Sequence, residues 1–180
     1  MFRTIQTEST LQAKAFERIA KLRSTGNYAT EFTHFWTIDE INTYLNSLEL
    51  THGDICKSIV AGTSYNGKLI HALQISIRGR GEITGERPIV FVDAGIHARE
   101  WAAPMTAIYA IHEMVELRSF DDVLQNVDII IMPVVNPDGY EFTHQGNRFW
   151  RKTRRPSNLL CYGTDGNRNY GFQWQPLSSV

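Results

Sequence analysis

Two stretches decide the architecture: Ile89-Val90-Phe91-Val92, and Val127-Asp128-Ile129-Ile130-Ile131-Met132-Pro133-Val134-Val135. Both are nearly continuous apolar runs rich in β-branched residues, the pattern of strands covered on both faces. Between them Glu100 to Leu117 has helical periodicity, so the three segments read as a strand, helix, strand unit of an α/β sheet. Beyond Val135 polarity rises and Gly, Asn, Pro and Arg crowd together. That is loop chemistry at the carboxyl end of a strand, where open α/β sheets usually place their ligands.

Upstream, short β-rich segments at Ser58 to Ala61, Leu69 to Ile77 and Pro88 to Val92 are separated by Tyr65-Asn66-Gly67 and Gly79-Arg80-Gly81. The Asn-Gly pair predicts a hairpin. Earlier still, Thr37-Ile38-Asp39-Glu40 fits a capping box, and Ile38, Ile41, Leu45 and Leu48 share one helical face before Thr51-His52-Gly53. A second capping box, Ser9-Thr10-Leu11-Gln12, opens an amphipathic run through Leu11, Ala15, Ile19 and Leu22, predicting a helix over residues 9–23.

The 180 residues, 42% of them hydrophobic and 21% charged, suffice for one domain with a real core, which excludes wholesale disorder. Eighteen Lys and Arg against nineteen Asp and Glu leave a net charge of −1, so no global field steers the chain to nucleic acid or an anionic membrane. No apolar run approaches the roughly 20 residues of a membrane helix, and Met1 to Glu8 has no secretory h-region. Cys56 and Cys161 leave two readings open, one long-loop disulfide or two free thiols.

His97-Ala98-Arg99-Glu100 follows the first apolar run directly. A His and a Glu three apart on a turn or first helical turn project to the same side and can meet one cation at about 2.0–2.2 Å each, which suits zinc. A catalytic zinc needs a third protein ligand, so a distant residue has to join them. The competing reading makes His97 a capping residue and Glu100 a carboxylate answering the helix dipole.

Three further stretches supply context: Asn136-Pro137-Asp138-Gly139-Tyr140, Asn147-Arg148-Phe149-Trp150-Arg151-Lys152 and Gly163-Thr164-Asp165-Gly166-Asn167-Arg168-Asn169. With Gly95-Ile96-His97-Ala98-Arg99-Glu100-Trp101, and in this order, they resemble the zinc metallocarboxypeptidases of the carboxypeptidase A and B type from about Arg23 onward. The resemblance implies a mixed, mostly buried sheet flanked by helices. It further implies one Zn2+ held by His97 and Glu100, with Asp165 orienting the ligating imidazole. Arg151 matches the guanidinium that stabilises the oxyanion beside the scissile carbonyl. Asn167 and Arg168 match the grip on the substrate's terminal carboxylate, and Arg99 matches an outer subsite. Cys161 matches a disulfide cysteine whose partner lies farther along in the family, while Cys56 has no counterpart. Asp138, Trp150 and the basic residues Arg148, Lys152, Arg154 and Arg155 read as a turn carboxylate, a core ring and a solvated cationic loop. None of His34, His52, His71, His112 and His144 matches a ligand position.

In the family's order the third ligand (a histidine), the substrate-capping tyrosine and the general-base glutamate come after Val180. The resemblance therefore implies that residues 24–180 are the amino-terminal portion of a catalytic domain, that the sheet is incomplete, and that the chain is inactive alone. It also makes residues 1–23 the end of a prosegment, with Lys21 or Arg23 as the scissile position. The expected activity is hydrolysis of C-terminal peptide bonds by a secreted enzyme acting on peptide or protein C-termini. The alternative is a non-catalytic fragment that binds peptide carboxylates or does nothing.

Overall fold

Thr37 starts the first helix as the sequence predicts. Its hydroxyl accepts from the Glu40 N–H at 3.3 Å while the Glu40 carboxylate accepts from the Thr37 N–H at 2.9 Å, closing the capping box. The resulting helix α1 (Ile38–His52) ends at Gly53 and buries Ile41, Tyr44, Leu45 and Leu48 completely. The computed structural model describes residues 32–78, 81–85, 87–157, 161–172 and Trp174. The predicted helix over 9–23 lies outside them.

After α1 come β1 (Cys56–Thr63), β2 (Leu69–Ile75), β3 (Ile89–Asp93), α2 (Ala102–Val115), the short α3 (Asp121–Leu124), β4 (Asp128–Met132) and α4 (Pro137–Gln145). The hairpin falls where Asn66-Gly67 placed it. Gly67 takes φ +82°, the left-handed conformation glycine permits, and the Ser64 N–H donates to the Lys68 carbonyl at 2.8 Å. The four strands form an open mixed sheet in the order β1-β2-β4-β3, with β1–β2 and β2–β4 antiparallel and β3–β4 parallel. The α/β class and the mixed sheet flanked by helices are thus as expected.

Register explains the core. Leu73 pairs with Ile131 and Ile75 with Ile129, so these four side chains share one face. They join Ile41, Leu45 and Leu48 of α1 with Ile108, Ile111 and Val115 of α2 in one buried cluster. At about 1.5–3 kcal/mol for each fully buried aliphatic side chain, this cluster is the main apolar contribution to stability.

The strand Ile89 to Val92 departs from expectation. It reads as covered on both faces, yet β3 is the sheet edge and Ile89, Val90, Phe91 and Val92 are 40–55% exposed. Among the described residues only β4 pairs with it. Helix α2 is also shorter than predicted, starting at Ala102 and leaving Glu100 in the turn before it. No helix among the described residues is long and apolar enough to cross a membrane.

Candidate functional site

The site begins where β3 leaves the sheet. Gly95 adopts φ +67°, and a Cβ there would stand 3.2 Å from the Pro133 carbonyl and the Pro104 ring and 3.3 Å from Val134 Cα. Glycine alone turns the chain in so little space, and the turn carries Ile96 and His97 across the carboxyl ends of β3 and β4. The Glu100 N–H then donates to the His97 carbonyl at 3.2 Å, a turn that brings the two side chains together.

Asn136 holds the neighbouring loops. Almost fully buried, it donates through Nδ2 to the Ile96 carbonyl at 3.2 Å and the Lys152 carbonyl at 3.1 Å, and its Oδ1 caps α4 by accepting from the Gly139 N–H at 3.1 Å. The Ala98 N–H donates to the Arg151 carbonyl at 3.0 Å. Gly163, at φ +83°, packs against Thr153 so closely that a Cβ would collide with the Thr153 carbonyl, and Thr153 and Thr164 exchange bonds of 2.9–3.0 Å. These contacts set Arg151 and Asp165 beside His97.

His97 is buried and engaged on both ring nitrogens, with Nδ1 3.1 Å from Glu100 Oε1 and Nε2 3.1 Å from Asp165 Oδ1. A neutral imidazole carries one N–H. Given to Asp165, that proton leaves a lone pair on Nδ1 facing a carboxylate oxygen, so a second proton or a cation has to lie between them. A separation of 3.1 Å is also what two donors need when each sits about 2.0–2.2 Å from one ion. One imidazole and one carboxylate suit zinc, with the second nitrogen fixed by a carboxylate. Among the described residues no group of three or more His, Cys, Asp or Glu side chains is placed to hold a metal. Asp165 does not make a third because it occupies the opposite ring nitrogen. Neither His97 nor Glu100 caps α2, whose first turn contains no acidic residue.

Asp165 accepts three hydrogen bonds, from His97, from the Asn167 N–H at 3.0 Å and from Arg151 Nε at 3.0 Å. Burial pushes its carboxyl up, but the bonds from Arg151 and His97, the Arg151 charge and the Asn167 N–H outweigh burial and hold it below the usual carboxylate range. Arg151 Nη1 also lies 3.7 Å from Glu100 Oε1.

His97, Glu100, Asp165 and Arg151 therefore form one contiguous cluster. Asn167 and Arg168 follow in the exposed 3-10 turn Gly166–Arg168, which Asp165 caps, and Arg168 Nη1 donates to the Asn167 carbonyl at 2.9 Å. Arg99 is exposed and adjoins Glu100 in the chain, and its carbonyl accepts from Arg148 Nη1 at 2.8 Å.

Several residues beside the cluster do more than their sequence reading. The Arg148 guanidinium lies 3.7 Å over the Trp101 ring, which also stacks parallel to His144 at 4.1 Å. Arg154 lies 3.8 Å over Phe142 and 4.4 Å over Trp150, so these two arginines are packed cations rather than solvated ones. Trp150 is half-buried and donates to the Lys152 carbonyl at 2.7 Å, while Asp138 ties down the hairpin turn through Ser64 Oγ at 2.6 Å and the Asn66 N–H at 3.1 Å. His112 of α2 pairs at 2.6 Å with Glu116, the residue that follows the helix. Cys56 is buried and Cys161 exposed, and they are not bonded to one another.

A family model described as zinc carboxypeptidase matches residues 41–179. Carboxypeptidase B of Astacus astacus is 40% identical over 152 residues, covering 83% of this chain and 48% of its own length. Carboxypeptidase A1 of Sus scrofa is 37% identical over 167 residues, covering 89% of this chain and 38% of its own. Among solved structures, carboxypeptidase A from Helicoverpa armigera superposes with a TM-score of 0.76 at 35% identity, over 82% of this chain and 36% of that one. Bovine thrombin-activatable fibrinolysis inhibitor, solved with a tick carboxypeptidase inhibitor, gives a TM-score of 0.69 at 30% identity, over 78% of this chain and 45% of that one. The chain spans about half the length, or less, of the curated relatives it matches.

Proposed function

Since the chain belongs to the zinc carboxypeptidase family, we propose that it is part of a metalloexopeptidase that hydrolyses the C-terminal peptide bond of peptides and proteins, with His97 and Glu100 as zinc ligands. The observation that carries this is the 3.1 Å approach of His97 Nδ1 to Glu100 Oε1 while Asp165 holds Nε2. Bound there, zinc would supply Lewis acidity toward a peptide carbonyl and toward water.

The chain's own residues do the rest. Asp165 fixes the His97 tautomer so that Nδ1 presents its lone pair. Arg151, tethered through Nε to the same carboxylate, keeps N–H groups to donate to an oxygen gaining charge beside Glu100, a role worth most where water is excluded. Arg168 and Asn167 receive the substrate's terminal carboxylate, a planar guanidinium matching it with parallel bonds, and Arg99 lines an outer subsite. A grip on a free carboxylate restricts cleavage to chain ends.

We extend the reading to domain organisation and location. Residues 24–180 form the amino-terminal portion of the catalytic domain of a secreted enzyme, and residues 1–23 the end of a prosegment cut at Lys21 or Arg23. Limited trypsin digestion of native protein tests this, and an intact 21–27 region overturns it.

The absence of a third ligand group among the described residues favours a second reading for these 180 residues by themselves, a carboxylate-binding fragment without turnover. Two ligands hold zinc weakly. Release of the terminal residue from an N-blocked dipeptide, measured with added zinc, separates the readings. No turnover is expected from the 180-residue chain, and robust turnover lost in Glu100→Gln would refute its inactivity.

A further inference from the structure

Glu100 Oε1 is contested. It faces His97 Nδ1 at 3.1 Å and Arg151 Nη1 at 3.7 Å, so the oxygen offered to a metal is also the oxygen nearest a guanidinium. Arg151 cannot drift away, because its Nε is anchored on Asp165 Oδ2 at 3.0 Å. We infer that Arg151 is a built-in rival of the divalent cation. Its positive charge balances Glu100 beside the His97–Glu100 metal position when no cation is bound, and opposes a cation that enters there.

The inference rests on the zinc-site reading and adds a regulation of that site. A cation bound to that oxygen and a guanidinium 3.7 Å from it repel one another, so each weakens the other's hold. When a cation takes up the Glu100 charge, the Asp165 tether still holds the Arg151 Nη edge beside that space, so loading the cation also readies Arg151 to donate to a substrate oxygen. Metal occupancy and readiness of this donor are thereby one event. The side chains of Glu100 and Arg151 are 49% and 29% exposed, so the effect is moderate and sensitive to salt.

The test uses zinc itself, titrated into the whole chain against a chromophoric chelator at low salt and again at about 0.5 M salt. His97→Ala and Glu100→Gln come first, since if neither lowers zinc affinity the site reading itself fails. Provided both do, Arg151→Gln is expected to bind zinc about five- to tenfold more tightly than wild type at low salt, with the gain shrinking toward unity at high salt. Arg151→Lys keeps the charge and is expected to stay within about twofold of wild type. Unchanged or weaker binding by Arg151→Gln overturns the inference while leaving the zinc site standing. An equal gain in the Lys and Gln variants also overturns it, because charge would not be the cause.

Discussion

Replacing Asp165 with Asn changes almost no volume and should loosen two functional groups at once. In the native carboxylate Oδ1 accepts from His97 Nε2 and the Asn167 N–H, and Oδ2 accepts from Arg151 Nε. An amide has one oxygen. It keeps that oxygen toward the two donors and turns its NH2 against the Arg151 N–H, donor against donor. Bonds to a charged acceptor contribute about 1.5–3 kcal/mol each and neutral ones about 0.5–1.5 kcal/mol. Two bonds weakened and one lost, with a partly exposed Arg151 regaining water, give an expected loss near 2 kcal/mol.

The pH dependence fixes the cause. The folded carboxyl lies below its ordinary value of 3.8, so its contribution is complete above that value and disappears as pH falls through the folded one. Urea unfolding of both proteins from pH 7 to pH 3 should show a constant gap down to about pH 5, closing below about pH 4. Zinc affinity of the variant should fall about 10- to 100-fold. A gap of the same size at pH 3 and pH 7, or none at pH 7, would refute the claim that the ionised carboxylate holds this cluster.

Three further outcomes are expected. Thr37→Ala removes the capping box of α1 and should lower stability by about 1 kcal/mol in the same urea assay, with the Glu40→Ala variant adding little to it. Burial raises the Cys56 thiol to about 12, so a thiol reagent at pH 8 should label exposed Cys161 promptly and Cys56 only on unfolding, read by mass spectrometry of the digested protein. Phe91→Lys places a charge on the open, apolar β3 edge, and light scattering should show less aggregation of the chain at equal concentration.

How far the sequence could be read depends on whether a signal is local. Thr37 with Glu40, and Asn66 with Gly67, act over a few residues, and both lie where their spacing predicts. The apolar runs of β3 and β4 gave the α/β class, but apolarity cannot say which strand lies at the edge, and β3 came out exposed for that reason. The pairing of His97 with Glu100 is a three-residue spacing and was legible as such. The Asp165 contact with Arg151 spans 14 residues of loop and could be placed only through resemblance. The role of Asn136 has no local signal, since an asparagine before a proline signals a turn and nothing more. Its two bonds to carbonyls 40 and 16 residues away have no sequence signature. Arg148 and Arg154 differ from their sequence reading for a related reason, because a basic run looks solvated until the rings beneath it are placed.

Crystals grown with zinc, measured on both sides of the zinc absorption edge, show whether His97 and Glu100 hold the ion. One anomalous peak is expected about 2.0–2.2 Å from His97 Nδ1 and from a Glu100 carboxylate oxygen, with Nε2 still on Asp165. A peak on Nε2, or zinc bound elsewhere with the 97–100 pair vacant, would contradict it.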